Sequence, residues 1–203
     1  EFRRVLFRSL KGTVLKDNRD SLHWNRYRGY DGGVASYVVT RIQGGATKDF
    51  PNSDPSDTVF TSTETDNRFQ EVIYRVAAVP VQAGLAKSLS DTVRLKRKAR
   101  LIIPNAFTPD GNSINDTFKI YGQFIKTIDF RIFDRWGKPV KEISIVAPVT
   151  SGGNFQSFEV WDGKNSDGVL MPASSYVWTA VFKDLLGNGL NRNGTIALLD
   201  SKK

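Results

Sequence analysis

The sequence predicts an all-β protein, and three observations carry that expectation. Apolar residues recur in period two, as at Leu22 and Trp24 around His23, and again at Tyr37, Val39 and Arg41. No apolar stripe of helical 3.6-residue spacing appears over any length. Turn chemistry punctuates the runs, Asp31-Gly32-Gly33 and Gly137-Lys138-Pro139 among them. A length of 203 residues suits one large domain or two of about 100 residues each. With 39% hydrophobic and 25% charged residues, a packed core is within reach.

Residues 1–9 read EFRRVLFRS and are similar to the translation of a sequencing-adapter read-through; the other reading is a short amphipathic start to a strand. They are set apart from the fold, and the chain is expected to be the C-terminal fragment of a longer protein. From Leu10 the strands follow in order. Leu22 and Trp24 mark one, and Tyr37, Val39 and Arg41 a second. Residues 58–63 form a β-rich third, and residues 71–81 a long fourth with Tyr74, Val76 and Ala78 on one face. Residues 51–57 read as a Pro/Ser/Asp loop.

The elements Leu22-x-Trp24, Tyr37-x-Val39 and Tyr74-x-Val76-x-Ala78 resemble strands B, C and F of a fibronectin type III domain, over residues 10–99. The resemblance implies a sandwich centred on Trp24, with the Tyr74 hydroxyl tying the chain at a corner, and a spacer role. A second role for residues 10–99 is recognition of polysaccharide or an adhesion partner through exposed loop aromatics such as Tyr27, Tyr30 and Phe50.

The net charge of +8 is local. Residues 10–103 hold fifteen basic and ten acidic residues, and Arg94, Lys96, Arg97, Lys98 and Arg100 supply the whole excess. A nucleic-acid face is therefore not expected. Val93, Leu95, Ala99, Leu101 and Ile103 share one face of that run, and Arg94, Lys96, Lys98 and Arg100 the other. This predicts a single strand whose cations protect an exposed edge. No stretch approaches the roughly 20 apolar residues of a membrane span.

In the second half, Pro104 and Pro109 favour extended backbone around Asn105 and Phe107. Asp110-Gly111-Asn112 supplies a turn before Asn115-Asp116, and a strand resumes at Phe118. Residues 125–133 carry Ile128, Phe130 and Ile132 on one face and end in Asp134-Arg135-Trp136-Gly137. After a Gly/Ser/Asn loop, Trp161-Asp162-Gly163 opens a turn-rich stretch through Gly168 to Pro172. Tyr176, Trp178 and Ala180 then alternate with Val177 and Val181, and Gly187-Asn188-Gly189 and Gly194 bound a last strand over residues 195–199. By residue type alone, Trp136, Trp161 and Trp178 are expected in the core.

Taken in order, these motifs resemble the gliding-motility-associated C-terminal domain, the type B sorting domain of the type IX secretion system of Bacteroidota. The matching residues are Pro104, Asn105, Phe107, Pro109, Asp110, Gly111, Asn112, Asn115 and Asp116. Arg135, Trp136, Gly137, Trp161, Asp162, Gly163, Gly168, Pro172, Tyr176 and Gly194 complete the set. The resemblance implies a second, Ig-like sandwich over residues 100–203, making two tandem Ig-like or fibronectin-like antiparallel β-sandwiches. It also implies export and a place at the outer-membrane surface, with the secretion machinery and outer-membrane accessory proteins as partners. Ser174-Ser175 departs from the family's usual Gly-Thr, a loop over residues 147–156 looks inserted, and residues 200–203 run past the usual end.

Chemistry is constrained by absence. No cysteine and one histidine, His23, exclude disulfides, thiol catalysis and any site needing two imidazoles. A triad could use only His23, whose strand position faces solvent, and no phosphate loop is present. Neither an enzyme nor a cofactor is expected. Asp110, Asn112, Asn115 and Asp116, and Asp162, Asn165 and Asp167, offer hard oxygen ligands for calcium. Neither group has EF-hand spacing, and Asx turns are the expected role.

Overall fold

Alternation becomes strands throughout the computed structural model, which describes residues 9–63, 68–148 and 154–200. The adapter-like segment, apart from Ser9, and the centre of the 147–156 loop lie outside the described residues. The chain divides into two compact units, Glu1–Arg97 and Lys98–Lys203. Among the described residues every regular element is a strand, and no helix is long and apolar enough to cross a membrane.

The first unit contains β1 (Lys11–Val14), β2 (Asp20–His23), β3 (Val34–Gln43), β4 (Ala46–Asn52), β5 (Val59–Thr61), β6 (Glu71–Pro80), β7 (Ser88–Leu89) and β8 (Val93–Lys96). One sheet runs β1-β2-β5; the other runs β4-β3-β6-β7, with β8 also on β6. Their inner faces bury Leu22, Trp24, Tyr37, Val39, Tyr74, Val76, Ala78 and Leu95, as period-two patterning requires. His23 is exposed.

Several expectations are corrected here. β4 runs through Pro51 to Asn52, inside the stretch read as loop; it is an edge strand, where a proline forfeits no ladder bond. The Tyr74 hydroxyl does not tie a corner. It donates to the carboxylate of Asp20 at 2.7 Å, which also accepts from Arg97 Nη2 at 3.0 and 3.1 Å. The basic run is not one strand: β8 pairs with β6 in the first unit, whereas β9 (Arg100–Ile102) pairs with β11 (Phe118–Gln123) in the second. Arg97 breaks it: its carbonyl accepts the Gln70 side-chain amide at 3.1 Å, and its guanidinium turns into the core onto Asp20.

The second unit adds β10 (Ala106–Phe107), β12 (Ile125–Phe133), β13 (Pro139–Val146), β14 (Gln156–Trp161), β15 (Ser174–Asp184) and β16 (Gly189–Leu198). Its sheets are β14-β11-β9 and β10-β16-β15-β12-β13. All ladders are antiparallel except the two-residue parallel pairing of β10 with β16. Phe118, Ile120, Ile128, Phe130, Ile132, Phe158, Trp161, Tyr176, Trp178 and Phe182 fill the space between the sheets. The last strand starts at Gly189, not after Gly194, so both glycines lie within it. Gly194 is required there by space: a Cβ would stand 2.8 Å from Trp178 Cζ2.

Candidate functional site

Strand register gathers most of the motif residues of the second unit at one end. The turn over residues 134–138 closes the β12–β13 hairpin, and Phe133 lies opposite Val177, near the start of β15. Ser174 faces Leu198, the end of β16. β10 joins β16 at Ala197 and Leu198, and Phe118 faces Trp161. The loops over residues 108–117, 134–138 and 162–173 therefore share a pole of the sandwich. Pro109, Asp110, Gly111, Asn112, Asn115, Asp116, Arg135, Trp136, Gly137, Asp162, Gly163, Gly168 and Pro172 all belong to these loops. Pro104 and Asn105 lead into β10, where Asn105 O accepts Ala197 N at 2.8 Å. Gly194 lies farther down the sheet, against Trp178.

Beneath the pole is an aromatic floor. Phe107 lies 6.0 Å from Phe118 and 5.3 Å from Trp161, and Trp161 lies 5.0 Å from Tyr176, centroid to centroid. Two polar tips reach up from it: Trp161 Nε1 donates to Lys164 O at 2.8 Å, and the Tyr176 hydroxyl to Pro172 O at 2.7 Å. A large aromatic buried at one end and bonded at the other fixes the loop above it.

Each loop is also folded on its own carboxylate. Asp116 accepts the N–H groups of Gly111 and Ser113, both at 2.6 Å. Partial desolvation opposes its charge, and those bonds prevail, so the carboxyl titrates below the usual aspartate range. Asp110 accepts from Asn112 N at 3.2 Å, and Asn112 Oδ1 from Ile114 N at 2.7 Å. Asp134 Oδ1 accepts from Trp136 N and Lys138 N, both at 2.9 Å. Asp162 Oδ1 accepts from Lys164 N at 3.1 Å; Asn165 Oδ1 accepts from Asp167 N at 3.0 Å and Val169 N at 2.9 Å. Of the residues considered for calcium, Asp110, Asn112, Asp162 and Asn165 thus serve Asx turns, Asp116 reaches back to the loop before it, and the backbone oxygen of Asn115 accepts Thr108 N at 3.0 Å. Among the described residues, no group of three or more His, Cys, Asp or Glu is placed to hold a metal ion.

The loops are tied to one another. Gly163, at φ 82°, lets its backbone pass between Pro109, Leu170 and Leu198. Ser166 N bonds to Val140 O at 3.2 Å, and Arg135 Nη2 to Ser174 Oγ at 2.7 Å. Trp161 and Trp178 are core, as expected, but Trp136 is not: it is 82% exposed at the hairpin tip. The Asp134 turn points it outward, and the Arg135 guanidinium lies 5.2 Å from its ring centroid.

In the first unit, the aromatics considered for sugar binding are partly buried against the core rather than displayed. Tyr27 and Tyr30 pack edge to face at 4.8 Å, with the Tyr30 hydroxyl donating to Ala86 O at 2.7 Å. Phe50 packs on Phe60 at 5.2 Å. The Asp20–Tyr74–Arg97 cluster escaped sequence reasoning. Its one signal was parity, since Arg97 falls on the apolar face of Val93 and Leu95.

A comparison with curated proteins finds no match. Solved structures similar to the chain include the chicken CNTN1 FN1-FN3 domains, at 14% identity over 96% of this chain and 67% of that one, TM-score 0.37. A two-domain fibronectin type III segment of chicken tenascin matches at 12% identity over 94% and 98%, TM-score 0.44. Dimeric latent PorU from Porphyromonas gingivalis matches at 12% over 90% of this chain and 18% of that one, TM-score 0.36. The family comparison is the specific one: residues 101–197, β9 to within β16, match the model of the CHU_C type IX secretion signal domain.

Proposed function

We propose that the second unit is the type IX sorting and surface-attachment signal of a secreted or cell-surface protein, and that the first unit is a non-catalytic spacer. The observation that carries this reading is the family match over residues 101–197. The gathering of the motif loops at one pole supports it further. Such a pole is what a receptor can read, because carboxylate-capped turns and an aromatic floor hold its loops in one arrangement before any partner arrives. Its partners are then the secretion machinery and outer-membrane accessory proteins, and its destination the outer-membrane surface.

The first unit offers little chemistry of its own. Its aromatics serve its core, and its histidine stands alone on an exposed strand position. A polysaccharide- or adhesion-binding role is disfavoured by the burial of Tyr27, Tyr30 and Phe50, and binding of the full chain to a glycan array would restore it. For the leading reading, residues 98–203 are deleted from the polypeptide in a Bacteroidota host that exports type B substrates. The truncated product is expected in the periplasm. Its appearance outside the cell at the undeleted level would refute the sorting role.

A further inference from the structure

Among the described residues, β13 ends the five-stranded sheet of the second unit and pairs only with β12. Ala147 N bonds to Lys126 O at 2.9 Å, and the register then runs through Ile145 opposite Ile128 and Ile143 opposite Phe130. Alternate residues of an antiparallel ladder turn their N–H and C=O toward the neighbour, so those of Glu142, Ser144 and Val146 face away from β12. At Val140 the edge is covered, because its C=O accepts Ser166 N at 3.2 Å and Ser166 Oγ at 3.3 Å. From Glu142 to Val146 it is open. Beyond Glu142 it carries no charge, proline or bulge, the devices that keep edges apart. Other edge strands have them: β4 holds Lys48, Asp49 and Pro51, and β14 holds Glu159 beside a bulge in its ladder. Val146 is 78% exposed, and the core-facing Ile143 and Ile145 are only half-buried.

The open stretch is complementary to itself. Two copies related by a two-fold axis at Ser144 run antiparallel, with Ser144 opposite Ser144 and Glu142 opposite Val146 on either side. This register pairs every outward N–H and C=O of the three residues. An axis at Ile143 would set Val146 against Val140, whose C=O Ser166 already holds; one at Ile145 would set Glu142 against Pro148, which has no N–H. With the axis at Ser144, Glu142 meets an apolar side chain and no second carboxylate. Ile143 of each copy then lies opposite Ile145 of the other on the core side, where both gain cover. The contact is isologous and closes, so it yields a dimer and not a filament. We propose that the β13 edge is a dimerisation site, joining the second units of two copies of this chain into one continuous sheet across Ser144. The pairing is independent of the sorting role.

Sedimentation equilibrium of the full chain tests this, run up to about 1 mM because a contact of one strand pair is small and transient. A reversible monomer–dimer equilibrium is expected. Val146→Glu sets a carboxylate opposite Glu142 twice in each dimer and should weaken association about tenfold, whereas Val146→Lys sets a cation there and should hold or tighten it. Ser144→Pro removes the N–H at the axis without taking a bond from β12, and should also weaken the dimer. The Tm of each variant is measured at a concentration where the chain is monomeric. It should not change for the two Val146 variants, whose side chain is exposed; if Ser144→Pro lowers it, the Val146 pair decides. A chain that stays monomeric throughout overturns the proposal, as does a dimer that Val146→Glu and Val146→Lys affect alike. A monomeric chain whose export from a Bacteroidota host falls in Ser144→Pro would give the edge to a strand of another protein and overturn the second copy.

Discussion

Gly163 and the Asp20–Arg97 pair show how single residues set the two sandwiches. At φ 82°, Gly163 occupies a conformation that side chains resist, and its Cβ position lies 3.2 Å from carbons of Pro109, Leu170 and Leu198. Gly163→Ala is expected to destabilise the second unit by about 1–3 kcal/mol, read from thermal unfolding; unchanged stability would contradict the close approach. Asp20 and Arg97 are buried with side chains 3% and 5% exposed. Arg97→Met leaves that carboxylate without its cation and is expected to cost about 3–5 kcal/mol, with much of the loss recovered when Asp20 is also replaced by an apolar residue. Failure of the double variant to recover stability would show that the pair is not the source. Burial, and then the bond to Asp20, push Tyr74 above the ordinary tyrosine range. A raised folded-state value means that the unfolded chain ionises first. Its stabilisation is complete below about pH 10 and declines as pH rises beyond that. Tyr74→Phe should therefore flatten the alkaline fall in stability of the first unit; an unchanged slope would place the fall elsewhere.

At the scale of elements, strands with one buried face were legible and their interruptions were not. Tyr176, Trp178 and Ala180 announce β15 because period two on a half-buried sheet leaves its mark on every second residue. The last residues of the first unit do not announce themselves. There the edge beside β6 is made by β7 and β8, and Ser90 lies between them, its Oγ accepting Val76 N at 2.9 Å while Ser90 N donates to Val76 O at 2.8 Å. A hydroxyl replacing a ladder carbonyl leaves no periodic trace. Ser90→Ala is expected to cost about 1 kcal/mol through the stranded Val76 N–H, measurable by denaturant unfolding, with no loss counting against the substitution of serine for a ladder partner. The pairing of Asp20 with Arg97 spans 77 residues and is tertiary, so composition and spacing cannot show it. Trp136 is the instructive error at the pole. Its residue type argued for burial, whereas the Asp134-to-Lys138 turn, whose glycine was visible, decides that it stands outside.

For the molecule, two cores with no shared residue imply two folding units. A chain of residues 98–203 alone should melt at one of the transitions of the full chain; an unfolded product would show that its core is incomplete. The separation also suits the proposed division of labour, in which one sandwich carries the address and the other adds length. The central claim is that the address is sufficient, and transplantation tests it most directly. A folded reporter bearing its own inner-membrane export signal is fused ahead of residues 98–203 and expressed in a Bacteroidota host that exports type B substrates. The account predicts reporter outside the cell, open to protease added to intact cells, and a reporter held in the periplasm would contradict it.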